Sequence, residues 1–124
     1  MAYTINDLPK TEITEKVTSA TDKFAHEFGN YLGSGGNKMT TNQLRRFFGE
    51  VKRQQMREFD EGQFVLLKPK LAYAVGRDKK RTKINEFYLF MADAIDAVHS
   101  QEQFNRFVQV FEAIVAYHKE TAQD

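Results

Sequence analysis

Apolar residues return at intervals of three and four along five separate stretches of the chain, and nowhere do they alternate at period two over a useful length. That pattern confines the chain to helices packed on helices. In the first stretch, from Thr11, the recurring positions are Ile13, Val17, Ala20, Phe24, Phe28 and Tyr31. The second carries Leu44, Phe47, Phe48 and Val51, with Phe59 added to the same face. The third carries Leu67, Leu71, Ala74 and Val75; the fourth Ile84, Phe87, Tyr88, Met91, Ile95 and Val98; the fifth Phe104, Phe107, Val108, Phe111, Ile114, Val115 and His118. With no Asn-Gly or Asp-Gly hairpin turn to oppose this reading, the fold class is all-α, a compact bundle of about five helices joined by short loops.

Punctuation agrees with the periodicity. Residues 1–10 show no repeat, end near Pro9, and read as a flexible arm. Gly33-Ser34-Gly35-Gly36-Asn37 closes the first stretch, so 33–38 reads as a Gly-rich hinge. It is not a phosphate-cradling loop, because a helix precedes it and Asn37-Lys38-Met39 follows it where Lys-Ser/Thr is required. Thr40 or Thr41 can cap the second helix, Thr82 the fourth, and Ser100 with Gln103 forms a capping-box pattern for the fifth. Pro69 suits the first turn of the third helix, or else kinks a helix already running from Gln63; Glu61-Gly62 ends the second. At 124 residues, with eleven Phe and five Tyr, one domain can bury a sustained core.

Function classes narrow by what is missing. The chain has no cysteine, hence no disulfide framework and no thiolate site, which fits a reducing compartment. His26, His99 and His118 are too scattered to share a metal. No Gly-x-Ser-x-Gly, His-Glu-x-x-His or Gly-x-Gly-x-x-Gly occurs, and neither catalytic chemistry nor a cofactor is called for. No apolar run approaches a membrane span and the start lacks a basic and then apolar leader, so the expectation is a soluble cytoplasmic protein.

The net charge of +1 conceals a segregation. Residues 1–37 carry 3 cations and 5 anions, net −2; residues 38–83 carry 13 and 5, net +8; residues 84–124 carry 2 and 7, net −5. A basic middle third facing an acidic last third is an argument about partners. On a helical wheel Arg46, Arg53 and Arg57 oppose the apolar face of the second helix, with Arg45 and Lys52 on its flank. On the third, Lys70, Tyr73 and Arg77 fall at i, i+3 and i+7, so two cations flank a ring able to accept a stacked base. Asp78-Lys79-Lys80-Arg81-Thr82-Lys83 adds a short basic loop. A helix-turn-helix DNA reader is disfavoured, since the short glycine turn and polar recognition helix are lacking.

Three blocks together resemble one family: Thr41-Asn42-Gln43-Leu44-Arg45-Arg46-Phe47-Phe48, then Leu66 to Arg77 (LLKPKLAYAVGR), then Phe111 to Lys119 (FEAIVAYHK). In this order, over residues 39–119, the sequence is similar to the small helical subunit of the type III-A CRISPR-Cas effector, the Csm complex. The resemblance implies a non-catalytic subunit that stacks head to tail in several copies beside other effector subunits. It further implies sequence-independent contacts to the backbone of crRNA and target RNA. Arg46, Lys70 and Arg77 lie inside the matching blocks, whereas Arg53 and Arg57 rest on the wheel alone. The candidate RNA-contacting residues are Arg46, Lys52, Arg53, Arg57, Lys68, Lys70, Tyr73, Arg77, Lys79, Lys80 and Arg81. The alternative is a protein scaffold whose basic patch docks on acidic faces of its neighbours.

Overall fold

The computed structural model describes residues 16–79 and 81–123. Its elements are α1 (Ser19–Leu32), α2 (Thr41–Gln55), α3 (Glu61–Val65), α4 (Leu67–Asp78), α5 (Ile84–Asp96) and α6 (Gln101–Ala122), with no strand among the described residues. Five of these are helices of twelve residues or more, and α3 is a single turn of five.

Local chemistry sets the boundaries, and some differ from the wheel. The first helix starts at the Thr18 cap, whose hydroxyl accepts from the Ala20 N–H at 3.1 Å while its own N–H donates to Thr21 Oγ1 at 3.0 Å. Val17 therefore precedes the helix and is exposed, Ala20 is exposed too, and the buried face is Thr21, Phe24, Ala25, Phe28, Gly29 and Leu32. Ile13 and the expected arm of residues 1–10 lie outside the described residues. For α2 the capping box is Thr40 with Gln43. That helix stops at Gln55, well before Glu61-Gly62; Phe59 joins the core from a loop, its ring 5.7 Å from Phe64 and 5.5 Å from Phe104.

Asp60 caps α3 by accepting from the Gln63 N–H, and Leu66 joins α3 to α4 in right-handed helical geometry. Pro69 is the third residue of α4. Having no N–H to offer the Val65 carbonyl, it tolerates the first turn of α4 and breaks α3 from it. Thr82 sits one residue early for a cap, accepting from the Ile84 N–H at 3.3 Å, while Lys83 occupies the cap position without a side-chain bond of that kind. At α6, Ser100 Oγ accepts from the Gln103 N–H, but Gln103 reaches past Ser100 to the His99 N–H at 2.7 Å.

Phenylalanines weld the elements. Phe24 and Phe28 of α1 meet Phe90 of α5 at 5.3 and 5.0 Å; Phe64 of α3 meets Phe104 and Phe107 of α6; and Phe111 lies within 5.0–6.1 Å of Phe47, Phe48, Phe87 and Phe107. Each such ring, fully buried, contributes about 1.5–3 kcal/mol of transfer free energy. His118 is buried with them, its Nε2 2.6 Å from the Met39 carbonyl.

Along α1 the contact with α6 is backbone on backbone. A Cβ at Gly29 would stand 2.8 Å from the Ile114 carbonyl oxygen and 2.9 Å from the His118 nitrogen; at Gly33 it would stand 2.9 Å from the His118 oxygen. Polar pairs flank this seam: Thr121 donates to Asn30, and the Tyr117 hydroxyl donates to Asp22 at 2.6 Å, a hydrogen bond that raises the phenol's pKa. The glycine stretch beyond α1, with Gly35 at φ +81°, is fastened by Lys83. The Lys83 ammonium donates to the carbonyls of Tyr31 (2.8 Å) and Ser34 (2.9 Å) and lies 4.2 Å from the Tyr31 ring centroid, while its backbone N–H donates to Asn37 O. Burial lowers the pKa of this amine, opposed by the nearby Glu86 carboxylate. No helix among the described residues is long and apolar enough to cross a membrane.

Candidate nucleic-acid interface

A groove of about 720 Å³ runs between α2 and α4. Arg45, Arg46 and Arg53 come to it from α2, Lys70 and Arg77 from α4, because each helix turns its apolar face inward and leaves these side chains on the flank facing the other helix. Leu71, Ala74 and Phe47 form its apolar floor, and Glu50 and Asp78 are its acids. Five cations against two carboxylates leave the lining at +3.

The acids are occupied in different ways. Glu50 reaches across the groove, with Arg53 at 3.0 Å on its own helix and Lys70 at 3.3 Å on α4. Asp78 takes a 3.0 Å hydrogen bond from the Gln43 amide and bonds at 2.8 and 3.1 Å from the Thr82 N–H and hydroxyl, which tie the end of α4 to the start of α2. Arg45, Arg46 and Arg77 make no ion pair among the described residues. Three guanidiniums lining one groove reinforce one another's field.

Of the residues singled out from sequence, Arg46, Arg53, Lys70 and Arg77 meet in this groove. Tyr73 does not line it; the ring stands on the outer ridge of α4 and is 70% exposed. Lys52 turns toward α6, 3.9 Å from Glu112 and 5.7 Å from the Phe48 ring centroid, and Lys68 turns to α5, 2.7 Å from Asp96. Arg57 falls beyond the end of α2, in the loop before α3. Lys79 ends α4 in the left-handed region at φ 54° and Arg81 is exposed in the following loop, while Lys80 lies outside the described residues.

An all-helical bundle with this basic groove matches the family model of Csm2 Type III-A over residues 15–124. The chain belongs to the Csm2 family. It is accordingly a small subunit of the type III-A CRISPR effector complex and associates with other Csm subunits. The Csm2 match takes in α1 as well, ahead of the three blocks that carried the resemblance. No curated protein and no solved structure matches the chain.

Within this Csm2 chain, three residues that line the groove were not among the candidate contacts. The wheel puts Arg45 on the flank of the basic stripe, and it lines the groove because that flank faces α4, a neighbour that a single-helix projection does not contain. Gln43 carries no reading of its own in the sequence and Asp78 only opens the basic loop; their shared hydrogen bond, spanning 35 residues, becomes visible only in the fold.

Proposed function

We propose that the α2–α4 groove is the surface by which this subunit grips an RNA backbone, without reading base sequence and without cleaving it. The observation that carries the proposal is the convergence of Arg45, Arg46, Arg53, Lys70 and Arg77 on one groove in which three arginines hold no acidic partner among the described residues. Guanidiniums left open in this way are suited to phosphate oxygens, and phosphate contacts supply affinity without sequence information. Glu50, by engaging Arg53 and Lys70, holds two further cations in place at the rim. Head-to-tail stacking with further copies, which family resemblance implies, draws support from the opposite charge of residues 38–83 and 84–124.

The test is single-stranded RNA binding by the full chain across a salt series. On single strands the log-log slope is about −0.7 per phosphate neutralised, so Arg46→Glu with Arg77→Glu should lower affinity and flatten the slope by about 1.4. Lys68→Ala, which removes a lysine turned to Asp96, should leave the slope unchanged. If the folded double variant keeps both affinity and slope, the groove is not the RNA surface. The reading as a protein dock for acidic neighbours then replaces it.

A further inference from the structure

We propose that Tyr73 is a stacking platform for one unpaired base, which makes this face selective for single-stranded RNA over duplex. The inference rests on the proposed RNA-binding role of the adjoining groove and assigns the ring a task that the groove cations do not perform.

Tyr73 is the only aromatic residue among the large apolar side chains that the described residues leave exposed; every other described Phe or Tyr ring is buried or half-buried. The bundle gains little from it, since neither its ring nor its hydroxyl has a partner among the described residues. Its neighbours on the helix surface are Lys70, three residues before, and Arg77, four residues after, each one turn away along α4. Both of these cations also line the groove, Lys70 held by Glu50 and Arg77 open. The two lie about 10 Å apart along the helix axis, with the ring between them. A strand whose phosphates lie on Lys70 and Arg77 therefore passes directly beside the phenol face.

Only an unpaired base can use that face. In an A-form duplex the bases are stacked and paired inside the helix, and a protein ridge meets phosphates and 2′-hydroxyls; in a single strand a base can turn out and stack on an aromatic side chain. Leu66, half exposed two turns before Tyr73 on the same strip, extends the apolar ridge by one residue. An apolar protein partner would have to cover Lys70 and Arg77 together with the ring and strip water from both charges. An RNA strand supplies their counter-charge as it stacks, and this favours the nucleotide.

The experiment uses the full chain and two probes, a single-stranded RNA carrying 2-aminopurine and a blunt RNA duplex of the same length. Tyr73→Ala should weaken single-strand binding about five-fold or more and abolish stacking-dependent quenching of the 2-aminopurine, with duplex binding and the salt slope unchanged. Tyr73→Trp should restore affinity and quenching. Circular dichroism should show the fold intact in both, since the ring is exposed. Equal loss on both probes, or no loss on either, overturns the platform. Loss of incorporation into the effector complex with RNA binding intact also overturns it and assigns the ring to a protein partner. The salt slope of the parent protein and its flattening in Arg46→Glu with Arg77→Glu report on the groove independently, so failure of the platform is distinguishable from failure of the RNA-binding reading itself.

Discussion

Replacing Gly29 by alanine gives a stability effect whose sign can be worked out in advance. In an exposed helix interior, alanine is better than glycine by about 1 kcal/mol. At Gly29 that gain is opposed by the α1–α6 seam. The new methyl would approach the Ile114 carbonyl oxygen to 2.8 Å, 0.6 Å inside the 3.4 Å at which ordinary contact begins, and the His118 nitrogen to 2.9 Å. Both are backbone atoms of a helix, so no rotamer change relieves the overlap and α1 must move away. Overpacking of this kind costs about 1–3 kcal/mol, and separating α1 also loosens Phe24, Phe28 and Leu32. The net effect of Gly29→Ala should be a loss of about 1–2 kcal/mol. Gly49, on the outer side of α2, has nothing within 4 Å of its would-be Cβ, so Gly49→Ala should gain about 0.5–1 kcal/mol. Because helix propensity enters both substitutions alike, their difference, about 1.5–3 kcal/mol, isolates the contact. Urea unfolding followed by circular dichroism resolves it: with a slope of about 1–3 kcal/mol per molar, the two midpoints should differ by about 0.5 M or more. Equal midpoints, or a more stable Gly29→Ala, would refute a close backbone approach at the seam.

Phe111→Ala should cost about 3–5 kcal/mol, because the ring contacts four other phenylalanines; Phe111→Leu should cost clearly less, and equal losses in calorimetry would count against a packing origin. Lys83→Met should destabilise by about 1–2 kcal/mol at neutral pH, since the Ser34 carbonyl loses the ammonium that donates to it and the Tyr31 carbonyl keeps only the Ser34 hydroxyl and N–H. The Lys83 pKa is lowered in the folded state, so the parent protein should gain stability as pH rises from that lowered value toward 10.5. The gap to Lys83→Met, measured by denaturant titration, should widen over that window, and a gap that shrinks would contradict the burial of the charge. Highly purified protein incubated with magnesium or manganese should leave labelled RNA intact; cleavage abolished by changing a single carboxylate would refute the non-catalytic reading.

Periodicity located every long helix, because a buried stripe must recur at 3.6 residues whatever it packs against. It failed where the partner decides the answer. Thr21, Gly29 and Leu32 face inward in place of Val17 and Ala20 since α6 approaches the glycine edge of α1, and glycine leaves no trace in a count of apolar residues. Spacing puts His118 on the inner face of its helix, where it is buried, but cannot name the Met39 carbonyl that partners its ring. The candidate interface was legible as a net charge and as four of its five cations. The turning of Lys52 to Glu112 and of Lys68 to Asp96 was not, because those acids lie 60 and 28 residues away along the chain.

The glycine seam also bears on how the protein comes into being. The ribosome makes α1 first among the described helices, yet the surface that receives it belongs largely to α6, the last of them. Until residues 101–122 have emerged, Phe24, Phe28 and Leu32 have no complete resting place, and α1 alone is too short to be a stable helix in water. Synthesis therefore leaves an apolar segment waiting through the production of four other helices. That wait is a window for chaperone capture or for pairing with the α6 of a neighbouring chain, and it closes when α6 folds back along Gly29 and Gly33.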